Sequence, residues 1–271
     1  MSELWTLIKY LFFGIFQGFT EPIPISSSGH LMIVRHFMEM DDVGISFEGF
    51  VNFGSLIAVL IIYRKDLYRL SVNSLQYVIQ RGEENRGDFR FVLLLVVATV
   101  PAGMIGVLFK DVIEGIFSED IRMIGTTLIV TGFALWIIRN LRGKKQDGDL
   151  TLKDALIVGF AQAVALMPGI SRSGATIVAA MLLGMKQDTA LRFSFLLYIP
   201  VSMGTMIFSV TDLMEDPHFE SLVIPYIFAF IGSIVASYFA LLWFMDIMRK
   251  GNLKYFALYC LVVGILVLLF L

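Results

Sequence analysis

Residues 168–176 read PGISRSGAT, and residues 24–32 read PISSSGHLM. Each stretch crowds a proline, serines, a glycine and one basic side chain into nine positions. Each interrupts a run that is otherwise almost pure hydrocarbon. Inside a bilayer there is no water to satisfy a broken helix, so irregular backbone is tolerated there only where it is buried in protein or lines a wet cavity. In a membrane protein, two such breaks mark the place where the chain keeps a cavity.

Composition says that this is a membrane protein. Of 271 residues 57% are hydrophobic and 16% charged, against roughly a quarter charged in a soluble domain. Apolar runs of spanning length recur along the whole chain, and the period-2 alternation of a barrel is absent. The expected fold is an all-α polytopic membrane protein, a single integral membrane domain over 1–271. No cleaved signal peptide is expected, because Glu3 precedes the first apolar run and no small-residue cleavage site follows. The net charge of -2 resides in loops, where it informs topology; no nucleic-acid partner is expected. Cys260, the single cysteine, excludes an internal disulfide and reads as a small residue of the last apolar run. His36 and His218 read as interface or loop residues.

Six segments are expected to cross fully: 48–63, 91–109, 121–139, 190–210, 224–245 and 254–271. Two further regions, 4–38 and 154–187, hold the breaks. Loop 64–90 carries Arg64, Lys65, Arg69, Arg81, Arg86 and Arg90; loop 139–153 carries Arg139, Arg142, Lys144, Lys145 and Lys153; loop 246–254 carries Arg249, Lys250 and Lys254. Loop 110–120 has Lys110 alone, and 211–220 has no Lys or Arg. The positive-inside rule puts the first three in the cytoplasm and the other two outside. Region 154–187 then has to enter from the cytoplasm and return there. Region 4–38 enters from outside and returns if the N-terminus is outside; the alternative is that 4–20 crosses and the N-terminus is inside. The first reading gives two re-entrant helix hairpins, with both termini outside.

An internal repeat favours re-entry. At an offset of 145, Gly14 matches Gly159, Gln17 matches Gln162, Ile25 matches Ile170, Ser26 matches Ser171, Ser28 matches Ser173 and Gly29 matches Gly174. The halves are approximately 1–140 and 150–271, each a hairpin plus three spans. Three is odd, so the halves insert upside down relative to each other, an inverted-topology repeat. Such architectures place their site where the two breaks meet.

The first break supplies Gln17, Glu21, Ser26, Ser27, Ser28 and His30. Gln17 and Glu21 are four apart and share a helix face; Pro22 and Pro24 end that helix; the serines can cap the next. An intramembrane carboxylate and imidazole are functional when partners are near. The plainer readings are a structural ion pair of Glu21 with Arg172 and a satisfied core histidine for His30. The second break supplies Ser171, Arg172, Ser173 and Thr176 after Pro168 and Gly169. Backbone amides, a positive helix end and an arginine fork together suit a phosphate. Helix capping alone explains a serine but not a buried arginine. No P-loop is present, since there is no lysine and the glycines are mis-spaced. An anion clamp, a hydroxyl beside a histidine and a carboxylate able to hold a divalent cation are the parts of phosphoryl transfer. A substrate reached from within a bilayer would be a lipid phosphate.

QGFTE at 17–21, PISSSGH at 24–30 and PGISRSGAT at 168–176 resemble the signature segments of the bacterial undecaprenyl-diphosphate phosphatases of the bacitracin-resistance type. The resemblance extends over essentially the whole chain in length, hydropathy and repeat layout. It implies hydrolysis of undecaprenyl diphosphate to undecaprenyl phosphate and inorganic phosphate, recycling the lipid carrier of cell-wall synthesis. It also implies a divalent cation, Mg2+ or Ca2+, and a site in the bacterial cell membrane opening to the outer face. On this resemblance Glu21 is the metal ligand or proton-handling group, Ser27 the candidate nucleophile, either forming a covalent intermediate or binding while water attacks, and His30 its base or the acid for the leaving phosphate. Arg172 clamps the diphosphate with Ser171, Ser173 and Thr176; Ser26 and Gly169 are placed with the substrate-binding loops. Gln17 stands where the family has Glu or Gln, able to ligate a metal or bond a phosphate but not to act as a base. Glu48, at the mouth of the next span, is expected to stand behind the site. The competing reading is a transporter or flippase of a polyprenyl phosphate lipid, since inverted repeats with broken helices also build carriers. Membrane lipids are the expected surroundings, and an apolar surface of this size leaves room for a homodimer.

Overall fold

The computed structural model describes residues 3–38, 45–109, 121–214 and 219–271. Loop 110–120 and His218 lie outside the described residues. The described residues form helices joined by turns: α1 (Glu3–Thr20), α2 (Ser27–Met38), α3 (Ile45–Gln80), α4 (Arg86–Leu108), α5 (Ile121–Ile138), α6 (Leu152–Val164), α7 (Arg172–Leu182), α8 (Gln187–Met214), α9 (Phe219–Lys250) and α10 (Lys254–Phe270). Among the described residues there is no strand, only an isolated bridge between Lys145 and Met185. Among the described residues five stretches are long and apolar enough to cross a membrane: Phe47–Gln80, Glu83–Leu108, Ile121–Ile138, Gln187–Ile207 and Ser221–Lys250. They coincide with five of the six expected spans. The sixth is α10, an apolar helix of 17 residues.

One boundary differs from expectation. The segment from Arg64 to Gln80 does not leave the helix as a loop but continues α3. No glycine or proline interrupts it, and Asp66, Arg69 and Asn73 have partners on neighbouring elements. Asp66 receives both Nε (2.6 Å) and Nη2 (2.9 Å) of Arg192 from α8, and Asn73 donates to Asp88 of α4 at 2.7 Å. Arg192 also pairs with Asp147, just before α6. This ionic cluster ties α3, α4, α8 and the segment leading into α6 at the end of the bundle that carries the basic loops.

The helices pack in a reciprocal pattern. α1 lies along α9, and α6 lies along α4; α5 packs on α10, and α3 on α8. The α1–α9 and α6–α4 contacts are both made through a glycine. A Cβ on Gly14 would stand 2.0 Å from the Ala229 carbonyl oxygen, and one on Gly159 would stand 2.4 Å from that of Ala98. In lipid, where apolar surface gains little by leaving the solvent, such backbone approach is the main source of helix association. The exposed side of α9 repeats Ile231, Val235 and Phe239 at four-residue spacing, a stripe of the kind that meets acyl chains.

Candidate active site

α1 stops at Thr20 because Pro22 and Pro24 cannot continue it. The chain then turns through Ser26, which adopts a left-handed φ of 69°, a sparsely populated state for a residue with a side chain. Ser26 caps α2: its Oγ accepts from the Gly29 amide at 3.3 Å. The second break does the same. Ser171 Oγ accepts from the Gly174 amide at 3.1 Å, and the two outer serines of each trio meet, Ser26 with Ser28 at 3.5 Å and Ser171 with Ser173 at 3.2 Å. Gly169 supplies the turn with a φ of 83°, and a Cβ there would sit 1.9 Å from Thr127 Oγ1. The first residue of each following helix is therefore equivalent: Ser27 opens α2 and Arg172 opens α7.

The breaks touch. A Cβ on Gly29 would lie 3.1 Å from Gly169 Cα, and one on Gly174 would lie 3.5 Å from Pro24 Cβ. Ser173 donates across to the Ile23 carbonyl at 3.4 Å. At this junction the Glu21 carboxylate collects three donors. Arg172 Nη2 reaches Oε1 at 2.5 Å, Gln17 Nε2 reaches Oε2 at 3.0 Å, and the Ser27 hydroxyl also donates to Oε2. The Glu21–Arg172 ion pair of the plainer reading therefore exists, across 151 positions of sequence. The side chain of Glu21 is 9% exposed and that of Arg172 20%, so the pair is nearly out of solvent. It borders a narrow cavity of about 20 Å³ whose walls include Glu21, Arg172, Thr176, Ser55 and Tyr198.

Other expected residues are placed differently. His30 is buried, with Nδ1 2.7 Å from the Ser26 carbonyl and Nε2 2.9 Å from the Tyr259 hydroxyl of α10. A carbonyl only accepts, so Nδ1 carries a proton, and Nε2 pairs with the Tyr259 hydroxyl. In this arrangement Ser27 is bonded to Glu21 rather than to His30. Thr176 turns its hydroxyl back to the Arg172 and Ser173 carbonyls, at 3.0 and 3.3 Å. Glu48 pairs with Arg35 at 3.0 Å, which fastens the end of α2 to the start of α3. His36 is exposed, and Cys260 is buried with its thiol toward the Pro24 carbonyl.

Three contributors escaped sequence reading. Arg172 stacks on the Tyr198 ring, 4.3 Å from its centroid, and Nη1 donates to Ser202 at 3.3 Å; Tyr259 holds His30. Tyr198 and Ser202 are one turn apart on α8, a polar pair in an apolar span. That pair was the available signal. Tyr259 sits near aromatic neighbours and offered none.

Residues 10–266 match the family described as bacitracin resistance protein BacA. The chain belongs to that family. Curated relatives agree along its whole length. A protein of Bacillus thuringiensis (strain Al Hakam) named undecaprenyl-diphosphatase 2 is 59% identical over 271 residues, all of both chains. One of Oceanobacillus iheyensis named undecaprenyl-diphosphatase is 59% identical, covering all of this chain and 98% of its own. A third, undecaprenyl-diphosphatase 1 of Halalkalibacterium halodurans, is 58% identical over 267 residues, 98% of this chain and 97% of its own.

The residues of this BacA-family chain can be tested for a divalent cation. Among the described residues no three His, Cys, Asp or Glu side chains converge. A magnesium-type site commonly needs only one or two carboxylates, the substrate's phosphates and water supplying the rest. Beside Glu21, the buried Gln17 Oε1 has no hydrogen-bond partner. A hard, unpaired oxygen one turn from a carboxylate suits Mg2+ or Ca2+, so the site fits.

Proposed function

We propose that this protein hydrolyses undecaprenyl diphosphate to undecaprenyl phosphate and inorganic phosphate at the junction of its two polar breaks, recycling the lipid carrier of cell-wall synthesis. Family membership and the names of the relatives support the reaction. The observation that carries the site is the Glu21 carboxylate receiving Arg172 from one break and Ser27 from the other.

The chemistry divides among the residues as follows. Arg172 meets the diphosphate oxygens with its planar fork. The N-termini of α2 and α7 turn positive helix ends toward the same point. Ser27 Oγ attacks the terminal phosphorus while its proton passes to Glu21. The bond from that phosphorus to the bridging oxygen breaks, and undecaprenyl phosphate departs with the electron pair. The proton taken up by Glu21 passes to the departing oxygen; His30, held through Nδ1 on the Ser26 carbonyl and Nε2 on the Tyr259 hydroxyl, relays it only when Nε2 leaves Tyr259. Water then cleaves the phosphoserine, releasing inorganic phosphate and restoring the Ser27 proton. A divalent cation, Mg2+ or Ca2+, would be held by Glu21 and Gln17 Oε1 and supplies neutralisation of phosphate charge. Ser26, Ser171, Ser173 and Gly169 shape the two loops around the headgroup.

We further propose that the chain is an inverted repeat, α1–α5 and α6–α10, with the paired α1–α2 and α6–α7 as re-entrant hairpins. Equal hydrogen bonds at equal offsets support this, as do the reciprocal packings of α1 on α9 and α6 on α4. α6 has 13 residues, about 20 Å of helix at 1.5 Å per residue. That falls short of the roughly 30 Å hydrocarbon core, and α1 occupies the equivalent place. With the basic loops in the cytoplasm, both termini lie outside, and the site opens to the outer face of the bacterial cell membrane. The polyprenyl tail lies among the apolar helices, whose outer faces meet membrane lipid or a second copy of the chain.

The test is phosphate release from the purified protein with undecaprenyl diphosphate, with and without EDTA, beside Arg172→Ala. Release that needs both the cation and Arg172 is expected. Labelled lipid crossing proteoliposomes without phosphate release would replace the enzyme with a carrier.

A further inference from the structure

We propose that Tyr198 and Ser202 of α8, with Asn52 of α3, are positioning residues that present the Arg172 guanidinium to a diphosphate. The inference rests on reading Arg172 as the diphosphate clamp.

An arginine side chain has about 2 kcal/mol of rotamer freedom to lose, and an unsupported one loses it on each binding event. Here most of that freedom is already gone. One flat face of the guanidinium rests on the Tyr198 ring at 4.3 Å, and Nη1 is bonded to Ser202 Oγ at 3.3 Å. The ring is itself fixed. Tyr198 is 7% exposed, and its hydroxyl donates to Asn52 Oδ1 at 2.7 Å and to the Asn52 carbonyl at 3.1 Å. Three groups therefore set the plane and tilt of the guanidinium from behind. The Nη2 side is left turned toward Glu21 and the cavity.

The two halves of the chain differ at these places. Counting back 145 positions, Arg172 becomes Ser27, Tyr198 becomes Phe53 and Ser202 becomes Ile57. The half that carries the cation carries the phenol and the hydroxyl; the other half has hydrocarbon at both equivalent positions. Packing of a span needs neither polar group, as Phe53 and Ile57 show. A guanidinium needs both.

The experiment compares Tyr198→Leu, Tyr198→Phe, Tyr198→Trp and Ser202→Ala in the full-length purified protein. It reads kcat and KM for phosphate release, and calorimetric affinity for methylene diphosphonate, which reports the clamp without turnover. A desolvated cation–π contact of about 2 kcal/mol corresponds to ~30-fold in binding. Tyr198→Leu is expected to raise KM and weaken diphosphonate binding about 10- to 30-fold, with kcat within about 3-fold of wild type. Tyr198→Phe and Tyr198→Trp keep a π face but lose the hydroxyl bonds to Asn52 that fix the ring, and are expected to fall between wild type and Tyr198→Leu, about 3-fold weaker in binding. A folded Tyr198→Leu protein with wild-type affinity overturns the proposal, and so does Tyr198→Phe weakening binding as much as Leu. Should the Leu variant not fold, Ser202→Ala decides: about 3- to 10-fold weaker diphosphonate binding supports the cradle, and unchanged binding overturns it. A wild-type protein that releases no phosphate counts against the phosphatase reading, while the diphosphonate arm still judges the cradle.

Discussion

Replacing Arg172 by alanine tests stability and catalysis at once, and the structure says how to separate them. The guanidinium is bonded to Glu21 at 2.5 Å and to Ser202 at 3.3 Å and is stacked on Tyr198. Removing it leaves a carboxylate that is 9% exposed with neutral donors only. Breaking a buried pair from one side costs on the order of 3–5 kcal/mol, so Arg172→Ala should unfold at lower temperature. It should also lose the charge-assisted bonds to the diphosphate, a deficit of about 3–4 kcal/mol, or roughly 10²- to 10³-fold in kcat/KM. Arg172→Ala combined with Glu21→Gln removes the orphaned charge as well. That double variant should recover much of the lost thermal stability in detergent yet remain inactive, because both the clamp and the carboxylate are gone. The assay is phosphate release beside a thermal melt of each protein. Arg172→Ala melting well below wild type while turning over at the wild-type rate would refute the clamp and reduce the pair to architecture. A double variant no more stable than the single one would refute the argument from an orphaned charge.

Ser27→Ala should abolish turnover, whereas Ser28→Ala, whose hydroxyl meets only Ser26, should retain most of it; equal rates in the two would remove Ser27 from the chemistry. Chelation with EDTA should stop phosphate release, and Mg2+ or Ca2+ should restore it, more weakly in Gln17→Leu, which lacks the unpaired Oε1; a rate indifferent to chelator excludes the cation. Gly169→Ala should destabilise by at least about 1–2 kcal/mol from its left-handed backbone alone, and Thr127→Ala in the same chain should relieve only the added clash with Thr127 Oγ1; the melting temperatures of single and double variants measure the split. Asp154 is buried, accepts from Lys145 at 2.9 Å and closes a capping box with Thr151, so Asp154→Ala should cost about 1–2 kcal/mol of stability while leaving KM unchanged in the fraction that folds.

Much of the molecule follows from one-dimensional facts. Hydrocarbon runs of spanning length admit only helices, because a lone helix satisfies its own backbone in lipid; five of the expected spans appear on that ground. Pro22, Pro24 and Pro168 disfavour helix in these breaks, although Pro101, Pro200 and Pro225 are carried inside spans, and the serines that follow are cap residues by local chemistry, as Ser26 and Ser171 confirm. A charged residue in a span is costly enough that Glu21 and Arg172 had to find partners, and each was the other's best candidate.

Tertiary structure decided what pairing distance and direction decide. Whether Ser27 gives its proton to Glu21 or to His30 depends on side-chain direction at a helix start, and the sequence reading pairs Ser27 with His30; the fold turns Ser27 to Glu21 and His30 to Tyr259, 229 positions away. Glu48 sits near the first hairpin in sequence, but the approach of α2 and α3 gives it to Arg35. The continuation of α3 beyond Arg64 required Arg192 to arrive from α8, since a charged helix end gains little until its counter-charges are packed beside it. Local chemistry is written into neighbours a few residues apart, whereas a site made by four distant segments exists only once packing has brought them within a bond's length.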